Sequence, residues 1–312
     1  MKFLNTAILL ALLCTTSAAF ADTPRGMLLS PDALESATRS TLETDIAAHR
    51  TAAPAAFVAI ENVVREAAAI DAEKRGQVAP FARIFQGMGP GALLPLLEIV
   101  AVRGPARGTL TESAWSGLRA GAIQAIGKLR NPRAIPIMTA VLASDESDFL
   151  VRREAARALG RMGTEAIANT LIAESALSRP HHAAVLDGMG WCRRAEVAVA
   201  LSQRVPAAEA HTLPHLLTAL TDIGNGWAWR TSEVRENADH EMTVRATAGK
   251  ALLAAFMELN GPLRVEARKG LLVVDHPDTL AWIATAQSTS SPEMGALLGQ
   301  LADRVKRSPF RR

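Results

Sequence analysis

The chain has 312 residues, a formal net charge of +3, 49% apolar residues and 4% aromatics, with no tyrosine. A charge this close to balance argues against a nucleic-acid partner, and two cysteines are too few for a disulfide framework. Ala and Leu dominate and no stretch alternates with period two for long, which argues against sheets and for helix packed on helix.

In chain order, the first 21 residues form a secretory leader. Lys2 is its charged start, Phe3 to Leu13 its short apolar stretch, and Ala19-Phe20-Ala21 a small-x-small cleavage site. Leu13 stands where a lipoprotein signal would need a small residue before Cys14, so cleavage after Ala21 is expected, giving a periplasmic or secreted protein. Cys192 is then the only cysteine left. No later apolar run is long enough for a transmembrane segment. Ser30-Pro31-Asp32 predicts a helix start, with Ser30 as cap, running to His49. Pro54 opens a second helix to Ala72, and residues 22–76 together predict an N-terminal helical cap.

From Pro80 a phrase recurs. It is degenerate at Pro80-to-Gly89 and clear at Arg119-to-Gly127, Arg152-to-Gly160, His182-to-Gly190 and Leu216-to-Gly224. The closing glycines of these four lie 33, 30 and 34 residues apart. Such a period is the mark of stacked helical units. The paired helices expected are 111–129 with 133–143, 148–162 with 164–177, 180–191 with 195–203, and then 213–223. The closing glycines read as helix stops. Asp148-Phe-Leu-Val-Arg152-Arg153-Glu154-Ala155-Ala156-Arg157-Ala158-Leu159-Gly160 resembles a HEAT repeat, as does Ala125 to Pro136. The units are similar to the short bacterial type that also occurs in the phycobilin lyase family. The resemblance covers 111–177, continues more loosely to 224, and returns at Val244 to Leu252. It implies an all-α, right-handed α-solenoid of HEAT-like helical hairpins over 77–290. It also implies inter-repeat structural roles for Asp148, Arg152 and Arg245.

Gly224 to Glu241 interrupts the pattern with a loop insertion containing Trp227, Trp229 and Arg230. Helices are expected at 243–258, 262–273 and 277–286. A C-terminal capping helix at 292–306 and a basic tail complete 291–312.

Two places offer binding chemistry. Long loops of repeat proteins emerge on one face, and aromatic and Arg residues are common interface anchors, so Trp227, Trp229 and Arg230 are candidate partner contacts. The alternative is that a tryptophan plugs the interruption. Arg153, Arg157 and Arg161 stand at i,i+4 spacing on one helix face. They read either as a ridge for an acidic partner or as a solvated outer face. Catalytic chemistry is not legible. There is no nucleophile elbow, phosphate loop or Cys/His cluster, and no cofactor motif. His181-His182 point apart on a helix, and the pair His211 and His215 brackets Pro214, so neither predicts a metal site. The function expected is an exported, non-catalytic scaffold for a protein or peptide partner in the cell envelope. The alternatives are a cofactor- or chromophore-handling enzyme of the lyase type and an envelope assembly factor.

Overall fold

The computed structural model describes residues 25–76, 78–177, 182–231 and 237–308. The leader expected at 1–21, His181 and the end of the basic tail lie outside the described residues. Among the described residues there is no strand. The helices are α1 (Ser36–Ala52), α2 (Pro54–Arg65), α3 (Ala67–Ala72), α4 (Phe81–Gly87), α5 (Leu93–Ala101), α6 (Glu112–Leu129), α7 (Ile135–Ala143), α8 (Phe149–Met162), α9 (Glu165–Glu174), α10 (His182–Met189), α11 (Ala195–Arg204), α12 (Leu213–Gly224), α13 (Glu241–Glu258), α14 (Gly261–Val274), α15 (Thr279–Thr289) and α16 (Pro292–Lys306).

The amino-terminal end differs from expectation. Ser30 precedes only a three-residue 3-10 turn, Pro31–Ala33, and its side chain makes no capping bond; α1 starts at Ser36. The helix expected from Pro54 is divided at Glu66 into α2 and α3. Ahead of them the chain runs beside the end of α5, with Met27 N donating to Ile99 O at 2.8 Å and Leu28 N to Val100 O at 3.1 Å. α1 and α2 pack on α5, and α3 packs on α6.

From α4 on, the helices alternate between two layers. α4, α6, α8, α10, α12 and α14 succeed one another in the first layer, and α7, α9, α11, α13 and α15 in the second, with α5 ahead of them. One continuous apolar core runs from Met27 to Val305, as a stack requires when each unit contacts only its neighbours. The starts of several helices follow from capping chemistry. Thr111 accepts from Ala114 N, Asp148 from Leu150 N and Val151 N, Thr164 from Ile167 N, and Ser291 from Met294 N. Each satisfies N–H groups that a first turn leaves open. α13 packs on both α11 and α12, so the insertion lies inside the α12–α13 hairpin.

Two of the four closing glycines stand at helix ends as the sequence suggests, Gly190 just after α10 and Gly224 as the last residue of α12, and two do not. Gly127 and Gly160 lie inside α6 and α8. α6 and α8 end instead at residues in the left-handed region, Arg130 (φ 49°) and Gly163 (φ 61°). The phrase glycines mark close approach. A Cβ on Gly188 would lie 2.1 Å from that of Ala156, one on Gly127 2.7 Å from that of Ala158, and one on Gly224 2.7 Å from Val274 Cγ2. The helices of the first layer therefore approach one another closely at these points. α8 and α12 converge across the short α10, where the rings of Phe149 and His215 are 5.6 Å apart. Every residue of α10 from Ala183 to Met189 is buried as a result.

Among the described residues no single helix is long and apolar enough to cross a membrane; α4 and α5 with the turn before it pass together by composition but are bent by 114°.

These contacts give opposite signs for two glycine replacements. Gly188→Ala overpacks the α8–α10 contact and is expected to cost about 1–3 kcal/mol. Gly295→Ala on α16, whose nearest neighbour is Gln287 Cγ at 3.9 Å, is expected to stabilise by about 0.5–1 kcal/mol. Denaturant titration of both variants against wild type checks the pair.

Candidate functional site

The arginines of α8 have partners of their own. Arg153 Nε and Arg157 Nη1 both donate to Glu154 Oε1, at 3.2 and 3.0 Å. Arg161 is only 4% exposed, and its guanidinium lies 4.4 Å from the ring centroid of Trp191. Arg157 and Arg193 flank the same indole at 5.8 and 5.7 Å. A desolvated cation over an indole face is worth about 2 kcal/mol, so this cluster binds α8 to the turn after α10. Burial also raises the Asp222 carboxyl above the ordinary carboxylate range, against the opposing pull of Arg157 and Arg193. Arg161 therefore leaves the expected ridge, and the exposed parts of Arg153 and Arg157 are already offset by a buried carboxylate.

Trp191 was not singled out by sequence reasoning, although a signal existed. It follows the closing glycine of its phrase, and Arg161 holds the same position one unit earlier. Residues one period apart face each other in a stack.

The insertion separates its two tryptophans. Trp229 is 6% exposed and its Nε1–H donates to Ile223 O at 2.9 Å, closing the carboxyl end of α12. It is a core residue, as the plug reading required, and leaves the list of surface contacts. Trp227 is 56% exposed, with the Arg230 guanidinium 5.4 Å from its ring centroid. Asn225 Oδ1 accepts from Trp227 N and Ala228 N, and Gly226 N donates to Val273 O at 3.0 Å. The turn that carries Trp227 is thus tied to both α12 and α14. Further on, Asn237 Nδ2 donates to Gly163 O at 3.3 Å, and His240 Nδ1 accepts from Ala195 N at 3.3 Å. The insertion returns along the edge of the stack as far as the α8–α9 turn. Residues 232–236 lie outside the described residues.

The inter-repeat residues show how the units are joined. Asp148 caps α8 with Oδ1, while its Oδ2 accepts from Arg119 Nη2 of the preceding unit at 3.0 Å. Arg119 Nη1 also reaches Glu146 at 2.6 Å. Arg152 points the other way and donates to the carbonyls of Leu142, Ser144 and Glu146 at the end of α7. Arg245 does the same for α14, donating to the Val274 and Asp275 carbonyls, and pairs with Glu241 at 2.6 Å. A guanidinium suits this place because its fixed fork meets several helix-end carbonyls at once.

The histidines do not converge. His215 Nδ1 lies 2.9 Å from Asp187 Oδ1, His211 pairs with Glu209 at 3.3 Å, and His182 meets His211 edge-on at 6.4 Å. Among the described residues no three His, Cys, Asp or Glu side chains are placed to hold a metal ion. Cys192 is fully buried, and burial pushes its thiol up to about 12.

Residues 109–186 match the family model of HEAT repeats. The match is to HEAT repeats at large and does not single out the lyase type. No curated protein matches the chain, and no solved structure does.

Two chemical outcomes follow. Native Cys192 should resist iodoacetamide at neutral pH, because almost no thiolate forms and no path reaches it, and should react fully in denaturant; mass spectrometry distinguishes the two states. Burial, with His211 and Arg204 adding to it, lowers the His182 pKa. Its contribution to stability is complete above the unfolded value of about 6.5 and declines as pH falls through that value toward the lower folded one. Between pH 7 and 5 the stability loss of wild type should exceed that of His182→Gln, read as the difference between their melting temperatures.

Proposed function

We propose that this HEAT-repeat chain is an exported, non-catalytic scaffold that holds a protein or peptide partner in the cell envelope. HEAT repeats generally build interaction scaffolds rather than catalytic sites, and the leader-like first 21 residues support export. The observation that carries the reading is the exposed Trp227 with Arg230 beside it. A large aromatic left in solvent next to a guanidinium, on a turn fixed by hydrogen bonds to two helices, is a preorganised anchor.

The two tryptophans give the test. Trp227→Ala combined with Arg230→Ala should leave the melting curve unchanged and lower crosslinked capture of partner from the envelope fraction by about tenfold or more. Trp229→Ala should instead lose about 3–5 kcal/mol of stability, because it empties a core position. Undiminished capture by the Trp227/Arg230 variant would remove this surface from the function.

A further inference from the structure

At the carboxyl-terminal end, α14 and α16 enclose a small hollow of about 80 Å³. Three arginines, Arg264, Arg268 and Arg304, line it together with the apolar side chains of Phe256, Leu297 and Leu301. No carboxylate lines it. Arg264 donates only to neutral acceptors, Phe256 O at 3.1 Å and Asn260 Oδ1 at 2.8 Å. Arg268 and Arg304 have no hydrogen bond or ion pair among the described residues. The acids nearest them in sequence are turned to lysines, Glu266 to Lys269 at 2.8 Å and Asp303 to Lys306 at 3.8 Å.

This arrangement is unlike the chain's other arginine clusters. Arg50, Arg119, Arg153, Arg157 and Arg245 each meet a carboxylate. Three like charges around one depression repel each other, and no acid in the lining offsets them. The amino end of α14 borders the same hollow at Gly261 and adds the positive end of a helix dipole.

We propose that this hollow binds a phosphate group, with its apolar side chains taking the organic part of a phosphate ester. Several guanidinium forks around one small space offer more donors than the two oxygens of a carboxylate can accept, whereas a tetrahedral phosphate can use them. The site stands apart from Trp227 and does not depend on the partner-binding reading.

Calorimetric titration with inorganic phosphate, at ionic strength fixed with chloride, tests the site directly. Wild type should bind saturably, Arg268→Gln/Arg304→Gln should bind about tenfold or more weakly, and Lys269→Gln, which removes a neighbouring charge outside the hollow, should bind like wild type. Cosedimentation with phosphatidylcholine vesicles, with and without phosphatidate, separates the sources. Binding that requires phosphatidate and both arginines assigns a lipid headgroup; phosphate binding without it assigns a soluble ester. Absence of both kinds of binding overturns the proposal, as does an equal loss in Lys269→Gln. Should the double variant melt early, Arg304→Gln alone, at an exposed position, must show the same selective weakening.

Discussion

Close contact between the helices of the first layer is the constraint on which the rest of this structure depends. Gly127 and Gly188 lie against Ala158 and Ala156, closer than any side chain would permit. Contact at that range leaves room at these positions for glycine and alanine alone, so the first layer is set by its smallest residues. Across α10 the rings of Phe149 and His215 lie 5.6 Å apart, and α10 is buried from Ala183 to Met189. The Ala-rich composition is thus a geometric requirement, and the scarcity of aromatics follows from it.

A layer packed this closely has little room for ordinary polar satisfaction, and arginine supplies it. Arg152 and Arg245 carry their charge to the open carbonyls at helix ends, and Arg119 carries its charge to the acids that start the next unit. Each of these side chains is buried and keeps its charge because several acceptors surround it. Positive charge read as a row along a helix therefore says little about a ligand. More informative is a group of arginines around one hollow with no carboxylate in its lining, as on α14 and α16.

The sequence made the middle of the fold legible because local chemistry and packing agree there. Thr111, Asp148 and Thr164 cap helices in the structure, and the period of the phrase is the period of the stack. Ser30 has the residue type of a cap without the role, since the chain at that point is held to the end of α5 by backbone hydrogen bonds. Gly127 and Gly160, which lie inside their helices, misled for a related reason. A glycine near a helix end serves equally as a left-handed terminator or as a contact point, and only the neighbouring helix decides. The same limit applied at the candidate site. Trp227 and Trp229 are two residues apart in one short segment, and their separation into surface and core depends on where Ile223 O and α14 lie.

The insertion inside the α12–α13 hairpin is best understood through the cost of ordering it. Lengthening a connection costs little in closure entropy, but fixing its backbone costs about 1–2 kcal/mol per residue. Here the ordering is offset in parts: Trp229 fills the end of the α12 core and bonds Ile223 O, Gly226 N bonds Val273 O, and Asn237 and His240 bond the α8–α9 and α10–α11 turns. None of those contacts needs Trp227 to be a tryptophan. The Asn225 turn itself uses the backbone N–H of residue 227. The order of the insertion thus rests on Trp229, Gly226, Asn237 and His240, while the turn they hold presents Trp227 on the surface with Arg230 beside it.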